Sequence, residues 1–148
     1  MPTLRELLQS TLTADATLTA LLPGGFMDAN DLPQDSGGAA SAPRQGDGIR
    51  INPFGIIRYR AGNRTQADVP SLRSGQQSIE IYVYEDVGYG VIDAAIDRLI
   101  TLLDNTYLYP TDRAIVHLLN SFESEEIPAE EFGNAPSRFV RFQTVSTR

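Results

Sequence analysis

The chain has no cysteine, no tryptophan and no lysine, and only one histidine. It also has no apolar run near the length of a membrane span. Without cysteine there are no disulfides, no thiolate nucleophile and no cysteine-based metal site, and the redox compartment stays open. The single histidine, His117, stands between Val116 and Leu118. A catalytic triad or a metal site needs partners that a lone histidine lacks, so His117 reads as structural. A bilayer span needs about 20 apolar residues. The N-terminus shows no basic region followed by an apolar core, so no secretion signal is read there. All basic residues are arginine, a bias attributed to base composition; arginine nevertheless forms bidentate, partly buried ion pairs more readily than lysine, which suits an interface.

What is present is an ordinary globular composition, 148 residues with 41% hydrophobic and 21% charged. That length fits one domain able to bury a core. The net charge of −7 and pI near 4.6 argue against a dedicated nucleic-acid binder, which needs a basic surface to neutralise phosphates. The charge is uneven. Residues 44–73 hold six arginines (Arg44, Arg50, Arg58, Arg60, Arg64, Arg73) against Asp47 and Asp68, a balance of +4 that leaves −11 for the rest of the −7 chain. This pattern is either surface scatter or two oppositely charged faces that meet on neighbouring subunits.

Hydrophobic periodicity places the elements. Thr3 and Glu6 form a T-x-x-E capping box ahead of Leu4, Leu7, Leu8 and Leu12. Thr13 to Ala16 reads as a restart with Thr13 as a second cap, and Leu18, Leu21 and Leu22 continue the apolar face until Pro23-Gly24-Gly25 ends it. Residues 23–48 read as a long loop. Strand one is expected over Ile49 to Tyr59, with Ile49, Ile51, Ile57 and Tyr59 on one face, interrupted by Pro53 and Gly55. A polar, arginine-bearing connection at 60–75 joins it to strand two at Gln76 to Glu85, with Ile79, Ile81 and Val83 inward and Glu80, Tyr82 and Tyr84 outward. Helix two carries Ile92, Ala95, Ile96, Leu99, Leu102 and Leu103 at helical spacing. Tyr107 to Asp112 reads as a turn, Ala114 to Asn120 as strand three, Ser121 to Ala135 as an acidic loop and Arg138 to Val145 as strand four. The order α-β-β-α-β-β predicts an α+β fold of two layers: a four-stranded, mostly antiparallel sheet with two helices on one face. One domain, 1–148, is expected.

No chemical motif survives scrutiny. Asp28-Ala-Asn30-Asp31 begins like a calcium loop, but Leu32 takes a ligand position and Pro33 the glycine position. The glycine-rich 37–48 stretch has no lysine and opens no helix, so it is not a phosphate-binding loop. Glu123, Glu125, Glu126, Glu130 and Glu131 form the densest charge cluster; in a Pro- and Gly-bearing loop they have few apolar neighbours to shift their pKa toward acid–base work. They read as a solvated loop or as an acidic face for an arginine-rich partner. Tyr82 and Tyr84 could imitate a base-stacking sheet, but Glu80, Glu85 and Asp86 beside them argue against it. Catalytic, cofactor and metal residues are therefore expected to be none. The candidate interface residues are Arg58, Arg60, Arg64 and Arg73 on one side and Glu123, Glu125, Glu126, Glu130 and Glu131 on the other.

The segments together resemble one family. The chain has Leu4-Arg-Glu-Leu7-Leu8, then Ala14-Asp15-Ala16-Thr-Leu18-Thr-Ala-Leu21, then Ile79-Glu-Ile-Tyr-Val-Tyr84 with an acidic turn, a helix from Ala94 to Leu103, and the closing Phe139-Val-Arg-Phe142. This succession resembles the tail-terminator (tail-completion) proteins of long-tailed bacteriophages. The resemblance spans nearly the whole chain and rests on hydrophobic patterns; the long 23–48 loop and the 60–75 connection depart from it. It implies a structural virion protein, assembled in the bacterial host cytoplasm. Such a protein forms a hexameric ring at the neck, caps the tail tube, ends tube polymerisation and meets a head-side connector, while DNA passes through the lumen without specific binding. It implies no catalysis, no cofactor and no membrane partner. The alternatives are another neck component, such as a head-closure or adaptor protein, and a small α+β enzyme or ligand-binding domain.

Overall fold

A computed structural model describes residues 3–28, 42–43, 50–61, 75–111, 115–132 and 134–146. Most of the expected 23–48 loop and of the 60–75 connection, with Ile49, Arg64 and Arg73, lies outside the described residues.

The first helical region divides into α1 (Leu4–Ala14) and α2 (Ala16–Leu21). Thr3 Oγ1 accepts from the Glu6 N–H at 3.3 Å, while Glu6 Oε2 accepts from the Thr3 N–H at 2.8 Å. Two orphan donors of the first turn are thus satisfied reciprocally. Leu4, Leu8 and Leu12 repeat every four residues and are fully buried. The break falls inside the expected restart, but its cap is Asp15 rather than Thr13. Asp15 leaves the helical region (φ −78°, ψ 111°) and accepts from the Leu18 N–H, capping α2.

Among the described residues the sheet has seven strands: β1 (Phe26–Asp28), β2 (Phe54–Ala61), β3 (Gly75–Tyr84), β4 (Thr106–Leu108), β5 (Val116–Glu123), β6 (Ile127–Ala129) and β7 (Ala135–Ser146). Their order is β1-β2-β3-β7-β5-β4, with β6 paired to the start of β7. β1 runs parallel to β2 and the other pairs are antiparallel. The expected α+β class is what the fold shows, but the four-stranded, two-helix description must be corrected, among the described residues, to a mixed seven-stranded sheet with three α-helices, α3 being Gly90–Leu103. The three unforeseen strands are three residues each, too short to display the alternation by which a strand is read from sequence.

Strand ends also shift. Pro53 has no N–H to give a ladder, and β2 starts one residue later, at Phe54, rather than at Ile49. Gly55 is a close-approach position: a Cβ there would stand 2.6 Å from the Phe26 ring, so the glycine leaves room for that ring where β1 pairs with β2. β5 continues past Asn120 to Glu123 through a bulge between Asn120 and Phe122.

One face of the sheet carries the main core. Ile57, Ile79, Ile81, Val83, Val116, Leu118, Val140 and Phe142 meet Leu8, Leu12 and Leu18 of the first two helices and Ile92, Ala95, Ile96, Leu99 and Leu103 of α3. Each such aliphatic side chain contributes about 1.5–3 kcal/mol of burial. The helix-two stripe therefore faces the sheet as its spacing predicts, except that Leu102 is only half-buried. The opposite face is where expectation fails. Tyr84 and Glu80, expected outward, are 1% and 2% exposed. The chain after β5 does not form a solvated loop. It folds back through β6 and a 3-10 turn (Glu130–Phe132), and Phe132, Ala129 and Ala135 pack on Phe54, Ile56 and Tyr84 in a second, smaller core. Phe54 stacks on Tyr84 at 4.9 Å between ring centroids, and Phe132 meets both rings edge-on.

Candidate interaction surface

Among the described residues, the returning chain covers the second sheet face at its Phe54–Tyr84 end. Beyond that end, antiparallel register places Arg58, Glu80 and Arg141 side by side on β2, β3 and β7. Glu80 is almost wholly buried and is bound from both sides. Arg60 Nε donates to its Oε1, and Arg141 donates through Nε and Nη2 to Oε2 at 3.0 and 2.8 Å. Burial raises the Glu80 pKa, but hydrogen bonds from Arg141 and Arg60 outweigh it and hold the carboxyl below its usual range. The carboxylate is therefore charged and spent on its own chain.

Aromatic rings surround this pair of bridges. Tyr82 and Phe139 sit directly opposite each other and stack at 4.8 Å, and Phe122 follows at 5.6 Å. The Arg58 guanidinium lies 5.2 Å from the Tyr82 ring centre, and that of Arg141 lies 5.3 Å from Phe122 and 5.7 Å from Phe139. Three arginines thus stand around one carboxylate beside an aromatic strip.

The two charge clusters expected from sequence are not brought together within one chain. Arg58 and Arg60 lie on β2; Arg64 and Arg73 lie outside the described residues, as does the Glu131 side chain. Glu123, Glu125, Glu126 and Glu130 are exposed along the far flank, from the end of β5 to the 3-10 turn. Among the described residues none of these four forms an ion pair. Sequence reasoning missed Glu80, Arg141 and the Phe122–Phe139–Tyr82 strip. A signal existed: one glutamate inside Ile-Glu-Ile-Tyr-Val-Tyr and one arginine inside Phe-Val-Arg-Phe are single charges in apolar strands, and such charges are kept where a partner faces them.

Elsewhere the polar groups are structural. His117 stacks flat on Tyr107 at 4.2 Å, and its Nε2 lies 2.7 Å from Asn105 Oδ1. A groove of about 600 Å³ runs between α1, β1 and Tyr59. Its polar residues tie those elements together: Arg5 is paired with Asp28 and sits 4.1 Å over Tyr59, and Gln9 donates to the Phe26 carbonyl at 2.8 Å. Among the described residues no His, Asp and Glu side chains are grouped to hold a metal ion, and no helix is long and apolar enough to cross a membrane.

A chain of a solved particle, described as "Virion of native gene transfer agent (GTA) particle", superposes with a TM-score of 0.64 over 94% of this chain and 90% of that chain. The likeness is one of fold. Sequence identity between the two is 17%. The sequence matches no protein-family profile and no curated protein.

Proposed function

We propose that this chain is a structural virion protein of a phage-like particle, with no catalytic role, that forms a ring at the head–tail neck. In this reading the ring, hexameric as in tail terminators, caps the tail tube, ends its polymerisation and meets the head-side connector. DNA passes through the lumen unread. The observation that carries the reading is the fold likeness over nearly the full length of both chains to a gene transfer agent virion chain. The Leu-rich opening, Ile79–Tyr84, α3 and Phe139–Phe142 succession supports the terminator role in particular.

A closed ring needs two different faces on each subunit that fit head to tail. Arg58, Arg60, Arg64 and Arg73 are proposed for one side and Glu123, Glu125, Glu126, Glu130 and Glu131 for the other. The test is assembly in the absence of the chain. Particles lacking it are expected to carry tails of irregular, excess length that do not join heads, and electron microscopy of intact particles is expected to place the chain as a ring where tail meets head. Tails of normal length joined to heads without the chain would refute the role.

A further inference from the structure

Seven large apolar side chains are exposed among the described residues, and six of them fall within residues 107–127, on β4, β5, β6 and the segments beside them: Tyr107, Tyr109, Ile115, Leu119, Phe122 and Ile127. Along β5 the reason is the two-residue period. Val116 and Leu118 enter the main core, so Ile115, His117 and Leu119 must point away from it. A soluble chain seldom leaves so many large apolar groups together without covering them. The same flank carries the four exposed glutamates, which have no cation partner among the described residues. This flank therefore combines exposed apolar groups with exposed acidic ones.

Across the sheet, the charge is opposite. Arg58 has no carboxylate partner among the described residues, and its guanidinium lies over Tyr82. Arg60 and Arg141 share Glu80, so this side keeps an excess of two positive charges. Three strand steps separate β2 from β5, roughly 14 Å at the usual strand spacing, so one copy cannot close its own glutamates on its own Arg58.

Resting on the ring reading, we infer that the β4–β5–β6 flank of one copy packs on the Arg58–Tyr82 side of the second sheet face of the next copy of this chain. Phe122, Leu119 and Ile127 form the water-excluding centre, and Glu125 and Glu126 reach Arg58. Aromatic and arginine groups are enriched at protein interfaces, and a polar rim around an apolar centre is their usual anatomy. The arrangement is heterologous in this reading because each copy gives its flank to one neighbour and its Arg58–Tyr82 side to another, so the contact repeats from copy to copy. It also assigns Arg60 a different part from Arg58. Arg60 is committed to Glu80 and shapes the surface; Arg58 is the cation that the neighbour's acidic rim meets.

The absence of cysteine makes the contact directly testable. Arg58→Cys and Glu125→Cys chains, purified full length, are mixed and treated with a short bis-maleimide, in solution and in assembled particles. A 58–125 dimer is expected from the mixture and not from either variant alone, and the chain carrying both substitutions is expected to give a ladder ending at the ring. Arg58→Cys mixed with Thr17→Cys, on the exposed side of α2, is the control. Arg58→Glu should weaken self-association by at least about tenfold. Adding Glu125→Arg and Glu126→Arg to the same chain should restore it, because both halves of every contact are then reversed. A 58–125 yield no greater than the control in both settings overturns the proposal, as does reaction of the thiol introduced at position 58 only with another particle protein. Protection of that introduced thiol by a single-stranded oligonucleotide rather than by a second copy would assign this face to nucleic acid and also overturn it. A neck ring without the 58–125 link removes this contact but leaves the ring; absence of the chain from the neck removes the ring reading itself.

Discussion

Asp15 and Arg98, 83 residues apart, form a two-pronged ion pair: Arg98 Nε donates to Oδ2 at 3.0 Å and Nη2 to Oδ1 at 2.5 Å. The same Asp15 Oδ2 accepts from the Leu18 N–H at 3.0 Å. One carboxylate thus starts α2 and ties the corner between the first two helices to α3. The hydrogen bond from Arg98 is the main cause that lowers the Asp15 pKa, with burial opposing and the Leu18 N–H assisting. Asp15→Asn is expected to keep the cap and lose the charge, Asp15→Ala to lose both, so thermal midpoints should fall in the order wild type, Asn, Ala. Arg98→Gln should add little to Asp15→Ala if the two act together; full additivity in that double-mutant cycle would show them independent.

Glu80 should matter more than any other charged residue on the second face. Glu80→Ala leaves Arg141 and Arg60 without their shared carboxylate. The expected loss is about 2–3 kcal/mol in chemical denaturation, below the roughly 3–5 kcal/mol of a fully buried pair because Arg60 remains largely solvated. The Glu80 pKa is lower in the folded state, so its contribution is present above the ordinary glutamate value of about 4.3 and is lost as pH falls through the lower folded value. Acid titration of wild type against Glu80→Gln should show the two stability curves converging at the acid end. Curves that stay parallel down to about pH 2 would contradict the linkage.

Glu85, five residues on, is expected to behave in the opposite way. Burial raises its pKa, the N–H groups of Val91 and Ile92 lower it less, and the nearby Asp86 and Asp93 push it further up. Its Oε2 is buried without a hydrogen-bond partner among the described residues. A raised folded pKa means that this group binds more protons folded than unfolded, so stability falls as pH rises through that window. Glu85→Gln keeps an acceptor for the start of α3 and removes the charge; at about pH 7 it should leave stability unchanged within about 0.5 kcal/mol or increase it. A loss above about 2 kcal/mol would show that the charge itself is needed at the α3 N-terminus.

The face of α3 is tested by a pair of truncations. Leu99 is fully buried against the sheet, and Asp97 is exposed. Leu99→Ala should cost about 2–5 kcal/mol. Asp97→Ala should stay within about 0.5 kcal/mol. Equal urea midpoints for the two variants would mean that the helix packs by another face.

The sequence by itself determined the parts governed by local periodicity. The capping box at Thr3, the α3 stripe from Ile92 to Leu103 and the inward Ile79, Ile81 and Val83 all follow from spacing, because burial of one face leaves a period of about 3.6 or 2 in the chain. Tertiary structure alone decided the rest. β1, β4 and β6 exist because a longer neighbour offers them a ladder, which no three-residue pattern can announce. Glu80, Tyr82 and Tyr84 alternate with apolar residues and so read as solvent-facing; whether that second face meets water depends on where Phe132 and Arg141 return, 48 residues beyond Tyr84 and 61 beyond Glu80. The candidate site divides the same way. The opposite charges of Arg58 and Glu125 are legible in the sequence, but that they stand on opposite flanks of one sheet, and that Arg60 is already bound, depends on strand order and register, which are set by contacts between residues far apart in the chain.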